Sequence, residues 1–369
     1  MNYTSNKHKI YSFIEKHELK LDAVFFLAGF IFDILFTADP DDMFSLLQQV
    51  TYLSIIASFL HFEVLYRLHR WNPNKLKLNF IAKIWKYRDF AIHFLLGSLL
   101  SVYSILYIKS ASVLSSFMFL MIFLIVLIGN ELKFVKSAKV SIKVSFYAIC
   151  LFSFLSIITS LICGFIGVIP FFLSIFMTMT ILFLQYRLLL RKKIESSLLT
   201  KVLVFPYLGV LVIFTLFYFL GWIPPIPLSV KAQGAYHKIE KINQNYILSY
   251  EPQGFKFWRD SDKEFKARQG DTVYFYAQIY SPARITDQII IHWQTKSKKN
   301  TWVTTDKIPL LVQGGRKEGY RGYASKTNYQ DGEWKITVET SSGVEISRYY
   351  FNIVKSTETS ERTWSTIKR

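Results

Sequence analysis

Seven long apolar runs, separated by short polar connections, commit the first 222 residues of this chain to a membrane fold. They lie near Leu21 to Thr37, Phe44 to Tyr66, Phe90 to Ile108, Val113 to Ile128, Val144 to Cys163, Phe165 to Tyr186 and Val202 to Gly221. Each is close to the ~20 residues a helix needs to cross the hydrocarbon. Composition agrees: 51% of the 369 residues are hydrophobic and 33 are Phe, more than a water-facing surface tolerates. The first run follows a polar segment with four lysines and precedes no small-residue cleavage site, so it reads as a retained span.

The connections carry an orientation signal. Twenty basic residues fall in the N-terminal segment and in the connections after the second, fourth and sixth runs, whereas the three intervening connections hold only Lys109. This is the positive-inside pattern, which predicts a cytoplasmic N-terminus and, after seven spans, an external C-terminal region. The formal charge of +18 is largely explained this way, which argues against nucleic acid as a partner. Cys150 and Cys163 sit 13 residues apart in one run, about 20 Å along a helix. A disulfide needs less than about 7 Å between Cα atoms, so none is expected between them.

Beyond residue 222 the pattern changes. Three prolines in Ile223-Pro-Pro-Ile-Pro227 predict a stiff linker over 223–229. Over 230–355 the period becomes two: Val273, Phe275, Ala277 and Ile279 alternate with Tyr274, Tyr276, Gln278 and Tyr280. Further strands are expected at Gln288 to Thr295, Trp302 to Val312, Tyr320 to Lys326, Trp334 to Thr340 and Val344 to Val354, with turns at Gln330 to Glu333 and Ser341 to Gly343. The fold class that follows is a seven-helix transmembrane all-α domain (1–222) joined to an all-β antiparallel sandwich of immunoglobulin-like type. The Ser/Thr-rich tail, 356–369, is expected to be disordered, and Trp293, Trp302 and Trp334 to be core residues.

The phrases Gly221-Trp-Ile-Pro-Pro225, Val273-Tyr-Phe-Tyr276, Ile291-His-Trp293, Tyr323-Ala-Ser-Lys326 and Gly332-Glu-Trp-Lys-Ile336 resemble the bacterial domain of unknown function numbered 2914. Tyr107-Ile-Lys-Ser-Ala-Ser112 and Gly129-Asn-Glu131 look like the membrane region joined to that domain in Gram-negative proteins. The stretch after His292-Trp293 departs from the family's aromatic-rich pattern. The resemblance implies an envelope protein of uncharacterised function and transfers no active site.

Ionisable groups at membrane depth are costly, so two polar groups stand out. An inner group, His61, Glu63, His93, Asn130, Glu131 and Gln185, comes from four spans at the basic end; an outer group is Asp33, Gln48 and Gln49. Imidazole with carboxylate suits a proton relay or a metal. Glu63 and Arg67 at i, i+4 also suit a plain ion pair, and that bland reading is preferred. Phosphate loops, CxxC, HExxH and GxSxG are absent from the sequence, and no cofactor or metal is called for. Pro206 is expected to kink the seventh span.

The region after Gly221 has 23 basic and 15 acidic residues. Arg316, Lys317, Tyr320, Arg321, Tyr323 and Lys326 interleave cations with aromatic rings, which points to anionic lipid headgroups, an anionic envelope polymer or another envelope protein as partner beside the lipid bilayer itself. The expected function is binding or sensing in the envelope without catalysis. The rival is a transporter or membrane enzyme centred on the inner polar group.

Overall fold

The computed structural model describes residues 39–73, 79–112, 114–131, 139–243, 245–252, 260–282, 286–313, 318–357 and 361–369. Among them the N-terminal half is helical: α1 (Met43–Arg67), α2 (Asn79–Lys86), α3 (Arg88–Lys109), α4 (Phe117–Glu131), α5 (Val140–Cys163), α6 (Val168–Leu190) and α7 (Ser196–Phe219). Five of these, α1, α3, α5, α6 and α7, are long and apolar enough to cross a membrane. The expected first span lies outside the described residues. The expected fourth, α4, starts at Phe117 rather than Val113 and has 15 residues. Its later start has a local cause: the serine-rich approach forms a turn, with Ser116 N–H donating to Ser112 O, and the Ser112 hydroxyl donates to Glu345 of the β-rich half.

Local chemistry sets the helix ends. Asp42 caps α1 by accepting the Ser45 N–H at 2.8 Å, and α5 stops where Gly164 takes a left-handed φ of 77°. In α7 the turn Thr200–Val204 widens to π geometry just before Pro206, which absorbs the ring and the missing N–H without ending the helix. Polar bonds tie the bundle together, as expected where lipid offers no hydrogen bonds: Tyr107 to Ser153 (3.2 Å), Thr159 with Ser174 (2.7 Å) and Tyr207 to Gln185 (2.9 Å).

The C-terminal half comprises β1 (Ser229–Tyr236), β2 (Lys238–Ile242), β3 (Asn245–Tyr250), β4 (Glu264–Ala267), β5 (Val273–Tyr280), β6 (Thr286–Lys296), β7 (Trp302–Gln313), β8 (Tyr320–Lys326), β9 (Gly332–Thr340), β10 (Glu345–Lys355) and β11 (Ser365–Lys368). They form sheets in the orders β1-β5-β8, β4-β10-β9-β6-β7 and β11-β3-β2. Pairing is antiparallel except for β4, which runs parallel to β10. The first two sheets face each other across Phe275, whose ring lies 6.3 Å from Trp293 and 5.9 Å from Tyr349. The third covers part of the opposite face of β5, which is why Tyr276 is as buried as Phe275 despite the alternation.

Three expectations for this half need correction. The tail is not disordered where it is described: β11 pairs with β3, and Arg362 bonds Asp271 at 2.6 Å. The stiff linker expected over 223–229 is packed rather than a spacer between halves, because Ile226 and Leu228 are buried in the same core as the helices and β1 already begins at Ser229. Trp302 is only half-buried, unlike Trp293 and Trp334, because it stands on the outward face of the five-stranded sheet opposite Lys296.

The two halves meet at one end of the bundle. Tyr280 OH donates to Asp41 Oδ1 at 2.6 Å, just before α1; Ser112, between α3 and α4, bonds Glu345. Ser342 and Val344 line a cavity of about 60 Å³ with Tyr107, Phe171, Tyr218 and Pro225. The described basic residues that end or follow α1, follow α6 and precede α5, among them Arg67, Arg70, Lys139, Arg191 and Lys192, lie at the opposite helix ends.

Candidate functional site

At the basic end, three helices bring charge into the interior. Glu63 near the end of α1 has no exposed surface, and its carboxylate accepts from Arg67 Nη2 at 2.8 Å and from Lys143 Nζ at 3.2 Å to each oxygen. Lys143, one turn into α5 and 1% exposed, also donates to Asp89 of α3 at 2.5 Å, and Asp89 meets Arg88 at 3.3 Å. The expected Glu63 and Arg67 pair is therefore present within a larger network. Its centre, Lys143, is no loop cation, because α5 begins at Val140.

His93 and Asn130 form a second unit. Asn130 Nδ2 donates to the His93 carbonyl at 2.9 Å, so Asn130 Oδ1 faces His93 Nδ1 at 3.0 Å and that nitrogen must carry the proton. His61 turns to another side of α1, lining a cavity of about 10 Å³ with Tyr147, Gln185 and Tyr207, room for one water. Gln185 accepts from Tyr207. The Glu131 side chain lies outside the described residues. Thus the inner group divides into an ion-pair network, a His–Asn pair and a small polar cavity. Among the described residues no cluster of three or more His, Cys, Asp or Glu could hold a metal ion.

Of the outer group, Asp33 lies outside the described residues. Gln48 is exposed and donates to Tyr52 OH (2.8 Å), whereas buried Gln49 donates to Ser45 Oγ (3.1 Å). Both bonds stay within α1. The neighbouring acidic loop does more, since Asp41 receives Tyr280 from the β-rich half. Burial and this carboxylate together push the Tyr280 hydroxyl pKa upward.

The cationic patch expected on the β-rich half is described only at Tyr320, Arg321, Tyr323 and Lys326. Arg316 and Lys317 lie outside the described residues. Lys326 is buried, pairs with Asp306 and lies 5.6 Å over the Trp334 ring. That is a structural role, because an 8% exposed ammonium already joined to a carboxylate has little left for a ligand. Arg321 faces Glu318 at 3.6 Å, Tyr320 packs against the core, and Tyr323 is exposed at the rim of a tyrosine cluster with Tyr246 and Tyr274.

Two features leave no signal in the sequence. One is a buried pair on the β-rich half: His237 Nε2 lies 3.8 Å from Asp262 Oδ2, with side chains 2% and 0% exposed. Burial pushes the Asp262 carboxyl up to about 8. Burial, helped by nearby Arg362, drives the His237 imidazole down to about 3. The other is the outward face of the five-stranded sheet, where Trp302, Lys335, Arg348 and Tyr350 converge from three strands. Period-two alternation places such residues outward but does not reveal cross-strand neighbours.

Similarity to solved structures is slight. A β-glucosidase from Listeria innocua in complex with glucose is 12% identical over 30% of this chain and 16% of that one, with a TM-score of 0.19. The alkylpurine DNA glycosylase AlkC of Pseudomonas fluorescens, bound to DNA with an abasic site analog, is 9% identical over 73% of this chain and 68% of that one, with a TM-score of 0.23. Neither score is high enough to carry an argument about fold or function. No curated protein matches the chain. The family resemblance holds over a narrower range than the quoted phrases, leaving Gly221 to Pro225, Val273 to Tyr276 and the helices outside it. Residues 286–353, which run from the start of β6 to near the end of β10, match the family described as "Protein of unknown function (DUF2914)".

Proposed function

We propose that this chain is a multi-pass protein of the bacterial inner membrane that presents an immunoglobulin-like β-sandwich, residues 230–355, to the periplasm for binding or sensing, and catalyses no reaction of its own. One observation carries the reading: the β-rich half rests on the helix ends opposite the basic connections, held by Asp41 to Tyr280 and Ser112 to Glu345. Positive connections favour the cytoplasm, so the β-rich half faces away from it. The bonded junction suits a sensor, because a ligand on the sandwich can bias the helices only through contacts that differ between two states.

The rival reading, a transporter or membrane-embedded enzyme, draws on the buried Lys143 and its two carboxylates. Their charges are mutually satisfied, however, and His93 is occupied by Asn130, which is the pattern of helix-joining polar contacts. Complementation separates the two. In cells lacking this protein, a chain ending at Trp222 should fail to restore the wild-type phenotype, while His93→Ala restores it. Restoration by the helices alone, or failure of His93→Ala at normal protein levels, contradicts the proposal.

A further inference from the structure

The outward face of the sheet β4-β10-β9-β6-β7 carries an arrangement that solvation alone does not require. Register places Gln294, Lys335 and Tyr350 side by side on β6, β9 and β10, while Trp302 of β7 stands opposite Lys296. The Trp302 and Tyr350 rings are 5.7 Å apart, with Tyr350 41% exposed. Lys335 Nζ lies 5.0 Å and Lys296 Nζ 5.9 Å from the Trp302 ring, and Arg348 lies 5.9 Å from that of Tyr350.

The charges on this face are unequally satisfied. Lys296 pairs with Glu333 at 2.7 Å and Arg348 with Glu345 at 2.6 Å. Lys335 makes no ion pair among the described residues; partial burial and the like charge of Arg348 depress its pKa, only partly offset by the carboxylates of Glu345 and Glu339. An ammonium in this position gains more from an incoming anion than one already neutralised. Two aromatic faces beside it, with the Gln294 amide adjacent, offer stacking surface and hydrogen bonds to a ring that also bears an acid group.

Position decides between an acidic polymer and a membrane surface. β9 meets the helices at its Thr340 end, where Ser342 and Val344 line the junction cavity. Lys335 lies five residues earlier, about 17 Å along the strand. Surface potentials of lipids fade over about 8 Å at physiological salt, so an anionic bilayer at the junction is beyond its reach.

We propose that this face, centred on Lys335, Trp302 and Tyr350, binds an acidic polysaccharide, with a sugar ring stacked on the aromatic pair and its carboxylate on Lys335. The site lies wholly within the segment 286–353. Its biological setting rests on the periplasmic reading above, but its chemistry is testable without it. The detergent-solubilised full chain should bind polygalacturonate, with affinity falling as salt rises, and ignore neutral dextran. Lys335→Gln should weaken binding about tenfold, Lys335→Arg should retain it, and Trp302→Ala should weaken it by a similar factor. Equal binding of dextran, wild-type affinity in Lys335→Gln, or binding to vesicles of phosphatidylcholine and phosphatidylglycerol that Lys335→Gln abolishes would overturn the proposal. Because this assay is blind to sidedness, a failure here leaves the periplasmic placement standing, and wrong sidedness leaves a positive binding result standing.

Discussion

Replacing Lys143 with Met should cost the folded chain about 3 to 5 kcal/mol, the usual result of removing one partner of a buried ion pair. Lys143 is 1% exposed and bridges Glu63, which is fully buried, to Asp89, which is 43% exposed. Without the ammonium, Asp89 can turn to water, but among the described residues Glu63 keeps only Arg67 from its own helix. The lost free energy is therefore mainly the cost of a half-compensated carboxylate among α1, α3 and α5. Neutralising that carboxylate as well should restore part of it, so Lys143→Met with Glu63→Gln should be more stable than Lys143→Met alone. Unfolding in detergent, followed by tryptophan fluorescence, measures both. A single variant within about 0.5 kcal/mol of wild type, the range of an ordinary surface substitution, would show that the network contributes nothing.

The second large effect concerns pH. Asp262 accepts the Glu251 N–H at 3.0 Å through one oxygen, while the other oxygen and both ring nitrogens of His237 have no hydrogen-bond partner among the described residues. Arg362, paired with Glu251 and Asp271, is the main cation facing them. A carboxyl raised to about 8 from 3.8 holds its proton in the folded state where the unfolded chain has lost it, so its contribution is present below pH 3.8 and is lost as pH climbs to 8. An imidazole lowered from 6.5 to about 3 acts oppositely, its contribution being lost as pH falls from 6.5 toward 3. From about pH 4 to 6.5 the two slopes cancel. Between pH 6.5 and 8 only Asp262 acts, and stability should drop by about 2 kcal/mol at ~1.36 kcal/mol per pH unit. Asp262→Asn removes the ionisable group and should flatten this interval. Thermal unfolding at the two pH values checks it, and an equal slope in wild type and variant would remove Asp262 as the cause.

How far the sequence revealed these features depends on the range of the interactions. Strand β8 occupies Tyr320–Lys326, the very residues its alternation marks, and α1, α3, α5 and α6 fall on their apolar runs because length and hydrophobicity are local quantities. The sequence does not mark β1, β2, β3, β4 or β11: the last four, at four to six residues, carry too little pattern, β1 mixes Lys231, Gln233 and Gly234 into its eight residues, and neighbouring strands stabilise them all. Glu63 and Arg67 were legible as a pair at helical spacing. Lys143 was not, because it sits near the edge of an apolar run like any flanking cation, and its partner is 80 residues away. The partners of Lys326 are illegible for the same reason, since only the fold brings Asp306 and Trp334 to it. The Trp302, Lys335 and Tyr350 face depends on strand order, which alternation does not encode.

The account stands on the β-rich half facing away from the cytoplasm while the basic connections face it. With Cys163 replaced by Ser and Cys150 buried, single cysteines at Lys192, in the connection after α6, and at Lys299, in the β6–β7 turn, report the two sides independently. On intact spheroplasts an impermeant thiol reagent should label the Lys299→Cys chain and leave Lys192→Cys unlabelled until the membrane is opened. Labelling of Lys192→Cys on intact spheroplasts, or protection of Lys299→Cys, would contradict the account.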